Sequence, residues 1–147
     1  MSGPAPSGAS GTGAGGAGPS APVTGLSHVQ LNVTDPAASA AWYSAALGLE
    51  PYAADPEIGY VALRHRGAGL VVVLTRRPEP GPPAAGVLDH LAFAVPDGES
   101  LEAWARHLTD VGIDHPGVVP EGGNPSLQLR DPDGTAVELV APRPPAG

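Results

Sequence analysis

Two stretches of the chain are copies of each other. Leu26 to Asp35 reads LSHVQLNVTD, and Leu88 to Asp97 reads LDHLAFAVPD. His28 and His90 stand 62 residues apart, and so do Trp42 and Trp104, the only two tryptophans. Self-similarity at a fixed spacing means that one supersecondary unit occurs twice. Residues 26–141 thus form two modules, 26–75 and 87–141, joined by a proline-rich linker at 76–86. A unit of about 60 residues is marginal alone, so the modules should pack together as one domain.

The ends differ from this middle. Residues 1–25 are almost wholly Gly, Ala, Pro, Ser and Thr, with too little apolar surface to offset their ordering entropy. They read as a disordered tail, and residues 142–147 as a short second one. The N-terminus has neither the basic start nor the apolar run of a signal peptide, which points to the cytoplasm. No apolar run approaches the roughly 18 residues of a membrane span. The absence of cysteine excludes disulfide frameworks, thiolate zinc sites and cysteine nucleophiles. The net charge is −8, and all seven basic residues are dispersed arginines, so nucleic acid is not expected as a partner.

Within each module the periodicity changes in the same order. From Leu26 to Thr34, Val29, Leu31 and Val33 alternate with His28, Gln30 and Asn32, which predicts a strand with one core face and one polar face. Asp35-Pro36 supplies an N-cap and a first helical residue, and Gly48 a C-terminal cap, for a helix through Trp42 to Leu47. Strands follow at 50–54, 58–65 and 70–75, giving β-α-β-β-β. In the second module, residues 87–95 alternate with Leu91, Phe93 and Val95 inward and His90, Ala92 and Ala94 outward. Asp97 caps a helix with Leu101, Trp104, Leu108 and Val111 at helical spacing, ending before Gly112. Strands are expected near 117–119 and at 126–130 and 135–141, the last two joined across Asp131-Pro132-Asp133-Gly134. Both tryptophans read as core anchors, and His65, His107 and His115 as surface residues.

Three motifs carry a resemblance. They are L-S-H-V with L-D-H-L, the W-Y-x-x-x-L-G-L stretch from Trp42 to Leu49, and R-D-P-D-G-T-A-V-E-L-V from Arg130 to Val140. Together they resemble the vicinal oxygen chelate superfamily, the glyoxalase/bleomycin-resistance/dioxygenase group. The resemblance implies an α+β fold in which two tandem βαβββ modules form a curved mixed sheet around a cleft. It implies a metal held by His28, His90 and Glu138, the positions that match the family's ligands. A carboxylate on an otherwise apolar strand face, as at Glu138 between Ala136 and Val140, is costly to bury unless paired or bound to a cation. Two imidazoles and one carboxylate leave open coordination positions, which suits Fe(II) or Mn(II), with Zn(II) and Ni(II) as further candidates.

Departures from the family narrow the reaction. Lactoylglutathione lyases usually place a fourth ligand, a glutamate, where the repeat puts Val73. Fosfomycin-resistance transferases need lysine for phosphonate, and this chain has none; Gln30 also stands where they carry threonine. Extradiol dioxygenases share the ligand set and the D-P-x-G-x-x-x-E run from Asp131 to Glu138, but want a tyrosine where Gln128 stands. The ligand set therefore resembles the dioxygenase branch. The expected protein is a metal-dependent enzyme for a small substrate with neighbouring oxygens, with Glu138 and Gln30 as its catalytic residues. Family members of this size also form homodimers, with modules paired within a chain or exchanged between chains. The rival reading is a metal-free, drug-sequestering binder of the bleomycin-resistance type, whose acidic charge would suit a cationic ligand.

Overall fold

The computed structural model describes residues 25–79, 88–121 and 124–143. The expected tails, apart from Gly25, Pro142 and Arg143, and the linker beyond Glu79 lie outside these residues. The first module runs β1 (Val29–Val33), α1 (Pro36–Leu47), β2 (Glu50–Asp55), β3 (Tyr60–His65) and β4 (Leu70–Arg76). The second runs β5 (His90–Ala94), α2 (Gly98–Asp110), β6 (Val118–Glu121), β7 (Asn124–Arg130) and β8 (Ala136–Val140). Each module makes a four-stranded mixed sheet, ordered β1-β4-β3-β2 and β5-β8-β7-β6. The pairs β1–β4 and β5–β8 are parallel and the rest antiparallel. The α+β fold and the βαβββ repeat are both present. Among the described residues no ladder joins the two sheets, so β1 and β5 are each an open edge.

Local chemistry sets the helix ends. The Asp35 carboxylate accepts the N–H groups of Ala37 and Ala38 at 3.0 and 3.1 Å. Gly48 takes the left-handed conformation, φ 67°, and its N–H returns to the Ser44 carbonyl. Asp97 caps α2 by accepting from the hydroxyl and N–H of Ser100 at 2.7 and 2.8 Å. Those two bonds, the hydroxyl's first, hold its carboxyl below the usual range. The cap is thus intact at neutral pH and is lost as the pH falls through that lowered value.

Several boundaries depart from the sequence reading. β3 begins at Tyr60, not Ile58, because Asp55 accepts from the N–H of Glu57 and of Ile58 and folds residues 55–58 into a turn. Ile58 is left exposed, and Gly59 turns the chain at φ 70° with its α-carbon against Arg76. Val111 lies past the end of α2 and is exposed; Ile113 packs on the core in its place. β1 and β5 start at Val29 and His90, so Leu26 and Leu88 are exposed ahead of both strands.

One apolar cluster serves both modules. Leu31, Val33, Leu63, Val72 and Leu74 of the first sheet join Leu127, Leu129, Val137 and Leu139 of the second, with Tyr43, Leu101 and Leu108 from the helices. Polar contacts then fix one module on the other. Tyr43 Oη donates to Asp131 Oδ2 at 3.0 Å. Thr34 donates its hydroxyl and its N–H to Asp133, and Arg77 lies 3.9 Å from the same carboxylate. The His107 ring donates to the Ala45 carbonyl at 2.7 Å and meets Trp104 edge-on. His107 is therefore a half-buried bridge between modules, not the surface residue its helical position suggested.

Candidate metal site

The strand faces turned away from the helices carry the residues of interest. In the second module the register pairs His90 with Ala136, Ala92 with Glu138 and Gln128 with Glu138. His90 and Glu138 are thus diagonal neighbours on one face, floored by Ala92 and Ala136. His90 Nε2 lies 3.8 Å from Glu138 Oε2. Asp89 Oδ2 lies 2.7 Å from His90 Nδ1 and accepts its N–H, which places the lone pair of the neutral ring on Nε2. Glu138 is mostly buried, with 17% of its side chain exposed, while His90 is more open at 40%. A carboxylate sunk in an alanine floor, 3.8 Å from an imidazole nitrogen, suits a divalent cation by donor type and spacing.

The first module repeats half of this arrangement. His28 precedes β1 and is exposed, and its Nδ1 lies 3.1 Å from Ser27 Oγ. In both copies, then, the residue before the histidine engages Nδ1. In the place of Glu138 the first sheet has Val73, which is buried. Gln30, beside Val73, donates from Nε2 to Thr75 Oγ1 at 3.0 Å, so its Oε1 remains an acceptor.

The structure brings His90 and Glu138 together but leaves His28 outside their cleft. Among the described residues no three His, Asp or Glu side chains converge as a metal cage. The cleft is lined instead by Trp42, Asp89, Asp114, His115, Gln128 and Arg130 around the His90–Glu138 pair. Trp42 packs against the core, as expected, but is only half-buried and also lines the cleft from α1, while its neighbour Tyr43 takes the fully buried place. His115 corrects the sequence reading: it is half-buried in the cleft wall, accepting from Gly117 N–H at Nδ1 and meeting Thr109 Oγ1 at Nε2. Both of its nitrogens are thereby engaged, so it shapes the wall and is no ligand. His65 is exposed, as expected.

Two βαβββ modules with their parallel strand pairs and a histidine at the head of each define the class of fold. The profile of the Glyoxalase/Bleomycin resistance protein/Dioxygenase superfamily matches residues 25–139, and the chain belongs to that superfamily. Solved structures agree. A glyoxylase/bleomycin resistance protein/dioxygenase domain from Frankia sp. EAN1pec is 25% identical, with a TM-score of 0.71 over 85% of this chain and 96% of that one. A lactoylglutathione lyase from Agrobacterium tumefaciens is 22% identical, with a TM-score of 0.67 over 82% and 96%. A mutant of the fosfomycin resistance protein FosX from Listeria monocytogenes, complexed with Mn(II) and 1S,2S-dihydroxypropylphosphonic acid, is 20% identical, with a TM-score of 0.64 over 81% and 92%. No curated protein sequence matches the chain. No helix among the described residues is long and apolar enough to cross a membrane.

Proposed function

We propose that the protein is a metal-dependent enzyme that works as a homodimer on a small substrate with two neighbouring oxygens. His90 and Glu138 of one chain and His28 of the partner subunit are its metal ligands, and the metal is Fe(II) or Mn(II). The observation that carries this is the 3.8 Å approach of His90 Nε2 to Glu138 Oε2, with the ring's other nitrogen held by Asp89. Two protein donors hold a divalent ion poorly, and a third of the same kind stands alone on the first module. A second copy supplies it. The open edges of β1 and β5 fit this, because unpaired edge strands invite pairing or covering. So do Leu26 and Leu88, exposed at matching places beside both histidines, since an isologous interface buries the same patch twice. Mn(II) in the FosX complex is consistent with the metal chosen.

A bound divalent ion would supply Lewis acidity at neighbouring substrate oxygens. The protein's own groups do the rest. Asp89 fixes the ring plane and tautomer of His90. Gln30, held by Thr75, presents its Oε1 to a substrate hydroxyl. Val73 adds no fourth carboxylate, so coordination positions stay open to substrate, as the dioxygenase-like ligand set requires.

Protein loaded anaerobically with Fe(II), Mn(II), Zn(II) or Ni(II) and then desalted is expected to keep about one ion per chain. Light scattering at micromolar concentration is expected to give the mass of two chains. A dimer that retains no ion contradicts the enzyme reading and favours the metal-free, drug-binding alternative. A monomer that retains its ion contradicts the shared site.

A further inference from the structure

The register of the two sheets holds a second repeat, of arginines. In sheet two His90 pairs with Ala136, and Ala136 pairs with Arg130. In sheet one Val71 pairs with Arg64, and extending the β1–β4 register one step back from Val29–Val72 sets His28 beside Val71. Sheet two therefore carries a row of histidine, small apolar residue and arginine across three strands, and sheet one matches it with His28 one residue ahead of β1. Two strand spacings separate the ends of a row, about 10 Å between α-carbons. Side chains at both ends can reach one small molecule lying over the middle residue.

The two arginines are not equivalent. Arg130 is exposed and donates to the Gly134 carbonyl of its own turn at 3.2 Å. Arg64 is half-buried, its guanidinium 4.9 Å over the Tyr52 ring. Its Nε is buried and has no hydrogen-bond partner among the described residues. Glu50, its pairing neighbour on β2, instead approaches Arg66 Nε at 3.8 Å, with both side chains largely exposed. A desolvated guanidinium N–H with nothing to donate to is costly, and such a group calls for an absent partner. A guanidinium edge matches a carboxylate bidentately, and the Tyr52 ring lies against this one.

We infer that Arg64, backed by Tyr52, recognises an acidic group on the substrate. The substrate class is a small carboxylate whose acid group is separated from its pair of neighbouring oxygens by a flat apolar spacer over Val71. The oxygen pair rests on the metal reading given above; the carboxylate site does not.

The experiment has two arms, both read by titration calorimetry or ligand-observed NMR. In the first, chelator-treated protein is titrated with benzoate and with its neutral isostere benzamide. Wild type is expected to prefer benzoate by roughly tenfold, as a charge-assisted bidentate pair would. Arg64→Gln removes the preference without changing benzamide binding, and Arg64→Lys, which keeps the charge but not the fork, retains part of it. In the second arm, Mn(II)-loaded protein is titrated with 3,4-dihydroxybenzoate, whose hydroxyl pair should add a further gain that depends on metal and not on Arg64. Loss of that gain alone counts against the metal reading and leaves Arg64 standing. Equal binding of benzoate and benzamide by wild type, or a benzoate preference unchanged in both Arg64 variants, overturns the inference.

Discussion

Glu138→Ala is expected to weaken Mn(II) binding by more than about a hundredfold while the protein stays folded. Removing a hydrogen-bond partner behind a metal ligand typically costs about 10–100-fold, so removing a ligand itself should exceed that range. The fold has little to lose, because Glu138 sits beside Ala136, Ala92 and Val140 and faces His90 at 3.8 Å. A mostly buried carboxylate held only by a long contact costs desolvation on folding, so its removal leaves stability unchanged or raises it. His65→Ala, at an exposed position remote in sequence and in sheet order from the pair, serves as the control and should leave the affinity alone. Competition against a fluorescent chelator measures both. An affinity within a fewfold of wild type in Glu138→Ala would show that the carboxylate is no ligand.

Asp131→Ala should produce a large loss of stability. Asp131 is 4% exposed and is the point where the second module receives the first. One carboxylate oxygen accepts Tyr43 Oη, and the other accepts the N–H groups of Asp133 and Thr135 at 2.9 and 2.8 Å. Truncation strands a buried phenol and two turn N–H groups together. At about 1–3 kcal/mol for each buried unsatisfied group, partly relieved by water, the expected loss is about 3–5 kcal/mol. For a domain of this size that corresponds to a melting temperature lower by roughly 10–20 °C. Tyr43→Phe leaves the carboxylate its two N–H donors and should cost only about 1–2 kcal/mol. Burial, with the Asp131 carboxylate next in effect, pushes the Tyr43 hydroxyl well above its usual value. A raised folded value stabilises the protein below the ordinary tyrosine range of about 10, and the contribution fades as the pH rises past it. Urea titration of the three proteins provides the comparison. A loss under about 1 kcal/mol for Asp131→Ala would mean that this carboxylate does not hold the modules together.

What was legible in the sequence follows from how local each cause is. Asp35-Pro36 and Gly48 bracket α1 because capping is settled within four residues, and the same holds for Asp97 on α2. The sheet faces were legible because alternation survives burial: Val137 and Leu139 are inside, with Glu138 between them on the other face. Trp42 and Tyr43 could not be ranked that way. α1 is rich in alanine and has no single apolar stripe, and what draws Tyr43 inward is Asp131, 88 residues later. His107 likewise owes its role to the Ala45 carbonyl on the other module. The turn at Asp55 was present as an Asp-Pro-Glu signal but was outweighed by the apolar Ile58. The arginine row had a signal too, since Leu63-Arg64 and Leu129-Arg130 both precede the turn into the last strand of their module. The repeat locates His28 and His90, but it is silent on whether a module's mate lies in the same chain or in another copy, because either pairing satisfies the same symmetry.

That choice of mate is the central claim, and mixing two inactive chains decides it. His28→Ala and His90→Ala are each expected to bind almost no Mn(II) alone. If the site is built from both subunits, a mixed dimer has one site with both alanines and one with neither. After co-expression or full subunit exchange about half of the dimers are mixed, so metal binding should return to about a quarter of the wild-type amount. Ligands drawn from a single chain would leave every site in the mixture defective, and no binding would return.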